Sequence, residues 1–348
     1  MPEGDTVKRT CDRLHAALAG RVLTAAELRW PTLSTANLVG MTVVGVVPYG
    51  KHILIRFDSG WTLHSHLRME GQWRIEHSGP MPGSGPTSDP PALQRQPGPP
   101  QRQPGPPQRQ PGPPQRHPGE GRDLPPRSVE LRAGAVGGRD LRALLANSEW
   151  TALGLRLGEL DLVRTAEEGQ LIGRLGPDIL ADDFALATAV ANVAQSGTTI
   201  GAALLDQRNL AGIGTLWASE ALFLVRLHPW RPAAEFTSSG LAVVIERARR
   251  LMLAALPHAV QSTTGSRRPN ENTYVHGRSG RPCRRCGATV RVAMIGPPTR
   301  ERTVFYCPGC QGGLAPTDGG RSIAPLGSGS RDQRPRGAPD GKPRTSRK

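Results

Sequence analysis

Apolar and polar positions change their period along the chain. At the start, Val7, Cys11, Leu14 and Leu18 recur at helical spacing until Gly20 stops the pattern, which predicts one amphipathic helix. β-type runs follow at 21–29, 42–47, 52–57, 61–67 and 72–75, separated by Gly, Pro and Asp-Ser-Gly breaks, and the style resumes at 140–146 and 150–155. These predict a β-sandwich or flattened barrel with a helix at its N-terminus. From 182 to 256 the period becomes helical, over 182–194, 200–205, 216–223 and 241–256. Two last alternating runs, 290–295 and 303–306, flank Gly296-Pro297-Pro298 and predict a β-hairpin.

The resulting fold class is α+β and multidomain. An N-terminal helix plus β-sandwich is expected over 1–180, a helical domain over 181–265, a β-hairpin module over 266–312 and a disordered basic tail over 313–348. Residues 94–114 are three copies of Gln-Arg-Gln-Pro-Gly-Pro-Pro, followed by a degraded fourth. Such a segment has no core to bury, so 79–137 reads as a Pro-rich insertion in a surface loop, disordered or polyproline-like. Loop closure costs grow only logarithmically with length, so the flanking strands can still pair.

Composition narrows the class of partner. A formal charge of +15 and a pI near 10.9 point to a polyanion. Residues 80–127 carry six Arg against three acidic groups and residues 311–348 eight basic against three, so about half the excess lies on low-complexity chain. No window approaches 18 consecutive apolar residues, so neither membrane insertion nor export is indicated and a cytosolic monomer is expected.

The strongest chemical signal is Cys283-x-x-Cys286 and Cys307-x-x-Cys310, two pairs 20 residues apart. Four thiolates at this spacing surround one tetrahedral Zn²⁺ and leave no position open, so one structural zinc per chain is expected. The fifth cysteine, Cys11, belongs to the apolar helix face. Arg300 and Arg302 fall on or near the hairpin tip, where a rigid arginine suits a phosphate. Residues 207–215 join two helices through a turn with two glycines, and Asn209 adds a side-chain donor. That turn is either an anion site or a tight helical hairpin whose glycines only permit close packing.

The opening Met1-Pro2-Glu3-Gly4 exposes a proline secondary amine once the methionine is removed. An α-amino group titrates near about 7.7–8.0 and a lysine near about 10.4, so roughly a tenth or more of such an amine is a free nucleophile at neutral pH. Glu3 beside it is either an acid/base or a favourable anion at the start of the first helix.

Together these residues resemble the formamidopyrimidine-DNA glycosylase and endonuclease VIII family. The shared motifs are Pro-Glu-Gly at the terminus, Gly50-Lys51-His52, Ser65-His66-Leu67-Arg68-Met69, the helix-two-turn-helix segment and the zinc hairpin. The Pro-Glu-Gly-Asp-Thr start looks like the endonuclease VIII branch, which favours oxidised pyrimidines. The resemblance implies a bifunctional glycosylase and abasic-site lyase acting on damaged duplex DNA, with Pro2 as nucleophile and Glu3 as acid/base. It also implies Lys51, Asn209 and Arg302 as phosphate clamps, Lys51 serving the chemistry too, and Met69 entering the void left by a flipped nucleotide.

Two departures stand out. Thr215 replaces an asparagine usual in the family, and the insertion falls where other DNA-contacting side chains are expected. The alternatives are an 8-oxoguanine/formamidopyrimidine glycosylase and a noncatalytic DNA-binding paralogue. His52, His64, His66, His228 and His276 are read as structural.

Overall fold

The computed structural model describes residues 2–78 and 138–326. The predicted insertion and most of the predicted tail lie outside the described residues. Helix α1 (Gly4–Leu18) buries Val7, Cys11, Leu14 and Leu18 as their spacing requires. Eight strands follow: β1 (Ala25–Leu28), β2 (Val43–Tyr49), β3 (His52–Phe57), β4 (Trp61–His66), β5 (Gln72–His77), β6 (Leu141–Ala146), β7 (Trp150–Leu155) and β8 (Glu159–Arg164). They form two antiparallel sheets, ordered β1-β6-β7-β5 and β2-β3-β4-β8. Ile53, Ile55, Leu63 and Leu160 of one sheet meet Trp73, Ala143, Leu145 and Ala152 of the other, with α1 closing the same core.

The helical part contains α2 (Gly169–Ile172), α3 (Leu186–Ala194), α4 (Ile200–Leu205), α5 (Thr215–Leu224) and α6 (Ser238–Ala255). Its core is centred on Trp217, Leu222, Leu241, Ile245 and Met252. The hairpin follows as β9 (Arg291–Ile295) and β10 (Arg302–Tyr306), then a short α7 (Pro308–Gln311).

Several elements differ from expectation. β1 covers only the end of the 21–29 run, because the chain before it makes a lone bridge from Val22 to Thr42. The 182–194 helix starts at Leu186, the Asp182-Asp183 pair remaining outside it. β8 lies beyond the strands read from the sequence, although Leu160 and Leu162 alternate in it. The expected disorder from 313 is corrected up to 326. Ala315 is buried, Asp318 pairs with the buried Arg291 and accepts from the Tyr306 hydroxyl at 2.7 Å, and Leu326 N–H donates to Ser279 O at 3.2 Å. A buried arginine on β9 needs that carboxylate, and the partner comes from the chain just past the last cysteine pair.

Candidate active site and nucleic-acid interface

The start of α1, the β2–β3 turn, the loop after β4, the α4–α5 turn and β10 converge on one place. Gly4 N–H donates to Gly212 O at 2.8 Å, which ties the N-terminus to the α4–α5 turn. The contact needs a residue without Cβ, since a Cβ on Gly4 would stand 3.0 Å from Gly212 Cα. Gly50 has φ of 58°, and a Cβ there would come within 2.8 Å of Ala211 Cβ.

Glu3, the residue before α1, points away from its own helix. Its carboxylate accepts from Leu216 N–H at 2.8 Å and Trp217 N–H at 3.4 Å, two of the free amides at the start of α5. Gly214 makes room for it, because a Cβ there would lie 2.4 Å from Glu3 Cδ. Burial pushes the Glu3 carboxyl up to about 7, against the opposing pull of Lys51 and the two amides. The neighbouring Asp5 is buried and accepts from Trp217 Nε1–H at 2.9 Å and from Gln261 Nε2 at 2.9 Å. It anchors the first turn of α1 rather than facing solvent.

A cavity of about 210 Å³ opens beside this carboxylate, lined by Lys51, Met69, Gln207, Gly214, Thr215 and Arg302 among others. Three predicted residues, Lys51, Met69 and Arg302, therefore share one wall although they are far apart in sequence. Burial lowers the Lys51 pKa; Glu3 opposes that shift and Arg302 adds to it. Met69 is 66% exposed and lies outside the hydrophobic core. Pro2 is half-buried and adjoins Glu3 in the chain. His66 also lines the cavity, and burial pushes it down to about 3 and His52 down to about 4, so both rings are neutral at physiological pH. A wider hollow of about 740 Å³ between 182–186 and α6 contains none of the predicted residues.

Asn209 is placed differently. Its side-chain amide donates to Ala203 O at 3.0 Å, satisfying one of the last carbonyls of α4, and it is not among the cavity residues. Gln207, unnoticed in the sequence beyond its place in the turn, bridges it from within. Its Nε2 donates to Ile213 O at 2.9 Å and its Oε1 accepts from Gly212 N–H at 3.0 Å. Thr215, the first residue of α5, lines the cavity.

The hairpin carrying Arg302 is held on the helical part by two sets of contacts. Ile295 and Val304 pack on Ala202, and Phe305 N–H donates to Ser219 Oγ at 3.1 Å. Behind it, the buried Glu220 of α5 accepts from Tyr274, Val275 and His276 N–H at 2.9, 2.7 and 2.8 Å, anchoring the chain that leads into the cysteine pairs. The Sγ atoms of Cys283, Cys286, Cys307 and Cys310 all lie within 4.8 Å of one another, with Cys286–Cys307 at 3.4 Å and Cys283–Cys310 at 3.9 Å. Zn–S bonds of about 2.3 Å put sulfurs roughly 3.8 Å apart in a tetrahedron, so the four thiolates are placed to hold a zinc ion. Cys286→Ser is expected to lower zinc content by metal analysis, loosen the hairpin and weaken DNA binding. Wild-type zinc and wild-type binding in that variant would contradict the assignment.

Comparison with known proteins agrees with this geometry. The formamidopyrimidine-DNA glycosylase N-terminal domain matches residues 1–104, and the formamidopyrimidine-DNA glycosylase H2TH domain matches 175–266. The chain is 40% identical over 323 residues to a probable endonuclease 8 2 of Streptomyces coelicolor, covering 92% of this chain and 98% of the relative. It is 31% identical over 315 residues to endonuclease 8 2 of Mycobacterium tuberculosis, covering 89% of this chain and 100% of the relative. A crystal structure of Lactococcus lactis formamidopyrimidine-DNA glycosylase, non-covalently bound to DNA containing an abasic site, superposes with a TM-score of 0.62 at 19% identity. It covers 89% of this chain and 99% of that one, a likeness of fold. A zinc-fitting hairpin, a helix-two-turn-helix and an N-terminal Pro-Glu whose Glu3 is buried against it thus coincide with relatives along nearly the whole length, and the chain belongs to the formamidopyrimidine-DNA glycosylase/endonuclease VIII family.

Proposed function

We propose that the protein is a bifunctional DNA glycosylase and abasic-site lyase acting on oxidised bases, with oxidised pyrimidines preferred. The observation that carries this is the Glu3 carboxyl. It is buried behind the N-terminal proline, held at about 7 and set on the start of α5 beside a cavity lined by the cationic Lys51, Arg68 and Arg302. A carboxyl poised near neutrality can both give and take a proton.

The Pro2 nitrogen attacks deoxyribose C1′ while the C1′–base bond breaks, and the base leaves with the bonding electrons and a proton. The sugar ring then opens, the C1′–O4′ bond breaking as O4′ takes a proton from Glu3, and the C1′–nitrogen link becomes an iminium, an electron sink that acidifies C2′–H. Loss of that proton expels the 3′ phosphate, and a second elimination expels the 5′ phosphate. Glu3 protonates the sugar ring oxygen and shuttles the later protons. Lys51, which lines the cavity and attracts the Glu3 carboxylate, serves this chemistry and holds a phosphate beside the lesion.

Lys51 and Arg302 are the cationic phosphate contacts. Asn209 is the third contact: its amide spends one N–H on Ala203 O and keeps the other for a phosphate, with the Thr215 amide and hydroxyl beside it at the start of α5. Met69, exposed on the loop after β4, fills the void left by the extruded nucleotide. The domain limits in this reading are 1–180, 181–265 and a zinc module from 266 carried to 326 by the Arg291–Asp318 pair and the Leu326–Ser279 contact. No helix among the described residues is long and apolar enough to cross a membrane. The relatives named above are bacterial, in keeping with a cytoplasmic enzyme.

The test is cleavage of duplexes carrying thymine glycol, dihydrouracil, 8-oxoguanine or an abasic site. Cutting is expected on the abasic and both pyrimidine duplexes. Preference for 8-oxoguanine would overturn the substrate assignment, and no cutting of any of them would favour a noncatalytic binder. Lys51→Ala and Arg302→Ala should each weaken binding regardless of sequence and lower the salt slope by about one counterion. Unchanged slopes in both variants would refute the clamp roles.

A further inference from the structure

The sheet β2-β3-β4-β8 turns Ile53, Ile55, Leu63 and Leu160 to the core and a polar set to its other face. The register sets His52 opposite His66, His66 opposite Glu159 and His64 opposite Asp161. Strand residues two apart share a face, so an His-x-His on β4 and a Glu-x-Asp on β8 put these side chains together.

His52 Nδ1 lies 2.8 Å from His64 Nε2, and the other ring nitrogen of the buried His64 lies 3.0 Å from Asp161 Oδ2. A carboxylate only accepts, so His64 carries its proton on Nδ1 and presents a lone pair on Nε2. A ring oriented by a carboxylate through one nitrogen is how histidines are held when they bind metal; here the other nitrogen accepts from His52 Nδ1–H, a proton that shifts to His52 Nε2 when both rings turn to an ion. A Glu159 oxygen completes a trio in which the His52, His64 and Glu159 ligand atoms all lie within 4.8 Å of one another.

We propose that His52, His64 and Glu159 form a second cation site, separate from the four cysteines, for a divalent transition ion such as Zn²⁺, Co²⁺ or Ni²⁺, with Asp161 orienting His64. Two imidazoles and a carboxylate suit these ions and leave a fourth position for water, unlike the closed thiolate site. Bonds of about 2.0–2.2 Å place tetrahedral ligand atoms roughly 3.3 Å apart, so the imidazole pair opens by about half an ångström and Glu159 swings inward.

The competitor for Glu159 is the Arg68 guanidinium, which pairs with it. Arg68 lies across Gly158, where a Cβ would stand 2.1 Å from Arg68 Cγ, and it also lines the DNA-facing cavity. Cation binding breaks the Arg68–Glu159 pair and frees this arginine beside Met69. Metal supply is thereby coupled to the loop that meets DNA. A purely structural network of His52, His64 and Asp161, tying three strands together, takes up no second ion.

The experiment is equilibrium dialysis of the intact, zinc-containing chain against micromolar free Zn²⁺, followed by metal analysis. The wild type is expected to retain a second equivalent, and His52→Gln and Glu159→Gln to retain only the thiolate-bound ion. Arg68→Ala, which removes the competitor, should tighten the second site. In Co²⁺-substituted protein the second equivalent should add d–d absorption without the sulfur charge-transfer band of the first. A single equivalent in the wild type, or a second equivalent retained in both variants, overturns the proposal.

Discussion

Protein whose N-terminus stays blocked, by retained Met1 or an uncleaved tag, is expected to bind damaged DNA at near wild-type affinity while neither cutting it nor forming a borohydride-stable adduct. The reason is valence. An amide nitrogen has no basic lone pair to attack C1′ and cannot become an iminium, whereas the free secondary amine can do both. The phosphate contacts from Lys51 and Arg302 lie on other elements and survive. Loss of turnover to the uncatalysed background, with binding retained, is the largest effect expected of any change in the molecule. In unblocked protein, borohydride should reduce the iminium to an amine, and mass spectrometry should locate the adduct on the peptide beginning at Pro2. Pro2→Gly is a poorer test, because it leaves a primary amine that still reacts. An adduct on a lysine, or full activity in the blocked protein, would exclude Pro2 as the nucleophile.

Glu3→Gln is expected to reduce base excision by roughly 10²–10⁴-fold, the usual contribution of a positioned acid, while leaving measurable trapping on a ready-made abasic site, where no base has to depart. Equal loss on both substrates would refute a role specific to base departure. The same residue makes a pH prediction. Its folded pKa of about 7 lies above the ordinary 4.5, so the folded protein holds a proton that the unfolded chain releases across that window. Wild-type stability therefore falls as pH rises from about 4.5 to about 7, by up to about 3 kcal/mol from this group. The glutamine variant has no such loss. Its melting temperature should gain on the wild type between pH 5 and pH 8, and a constant difference would show that Glu3 is not buried as an acid. Base excision should decline above about pH 7, as the carboxyl loses its proton.

This trade explains why an acidic side chain sits in so unfavourable a place. Burying it without a full ion pair costs stability, and the same burial holds its proton near neutrality. Gly214 enforces the arrangement, since any Cβ there would meet the carboxyl.

The amphipathic α1, most strands, the hairpin and the cysteine cluster were legible in the chain because each rests on local spacing. A helix buries every third or fourth residue, a strand every second, and two Cys-x-x-Cys pairs bring their own geometry. β8 obeys the same alternation through Leu160 and Leu162, and could have been found from it. The order of the 313–326 segment was not legible, because its low-complexity composition conceals that the buried Arg291 requires Asp318. Nor does spacing reveal which donors of the 207–215 turn face outward. Asn209 donates to Ala203 O because α4 ends there with an unpaired carbonyl, and Thr215 lines the cavity. By itself the sequence determined the elements, the metal ligands and the nucleophile's neighbourhood, all of which depend on residues a few positions apart. Only the tertiary structure decided that Glu3 is an acid near neutrality, since its burial and its two amide donors come from α5, more than two hundred residues away. The tertiary fold likewise brought Lys51, Met69 and Arg302 to one wall and stacked two histidines, Glu159 and Asp161 on one sheet face, because proximity across chain separations is set by packing and strand register, not by composition.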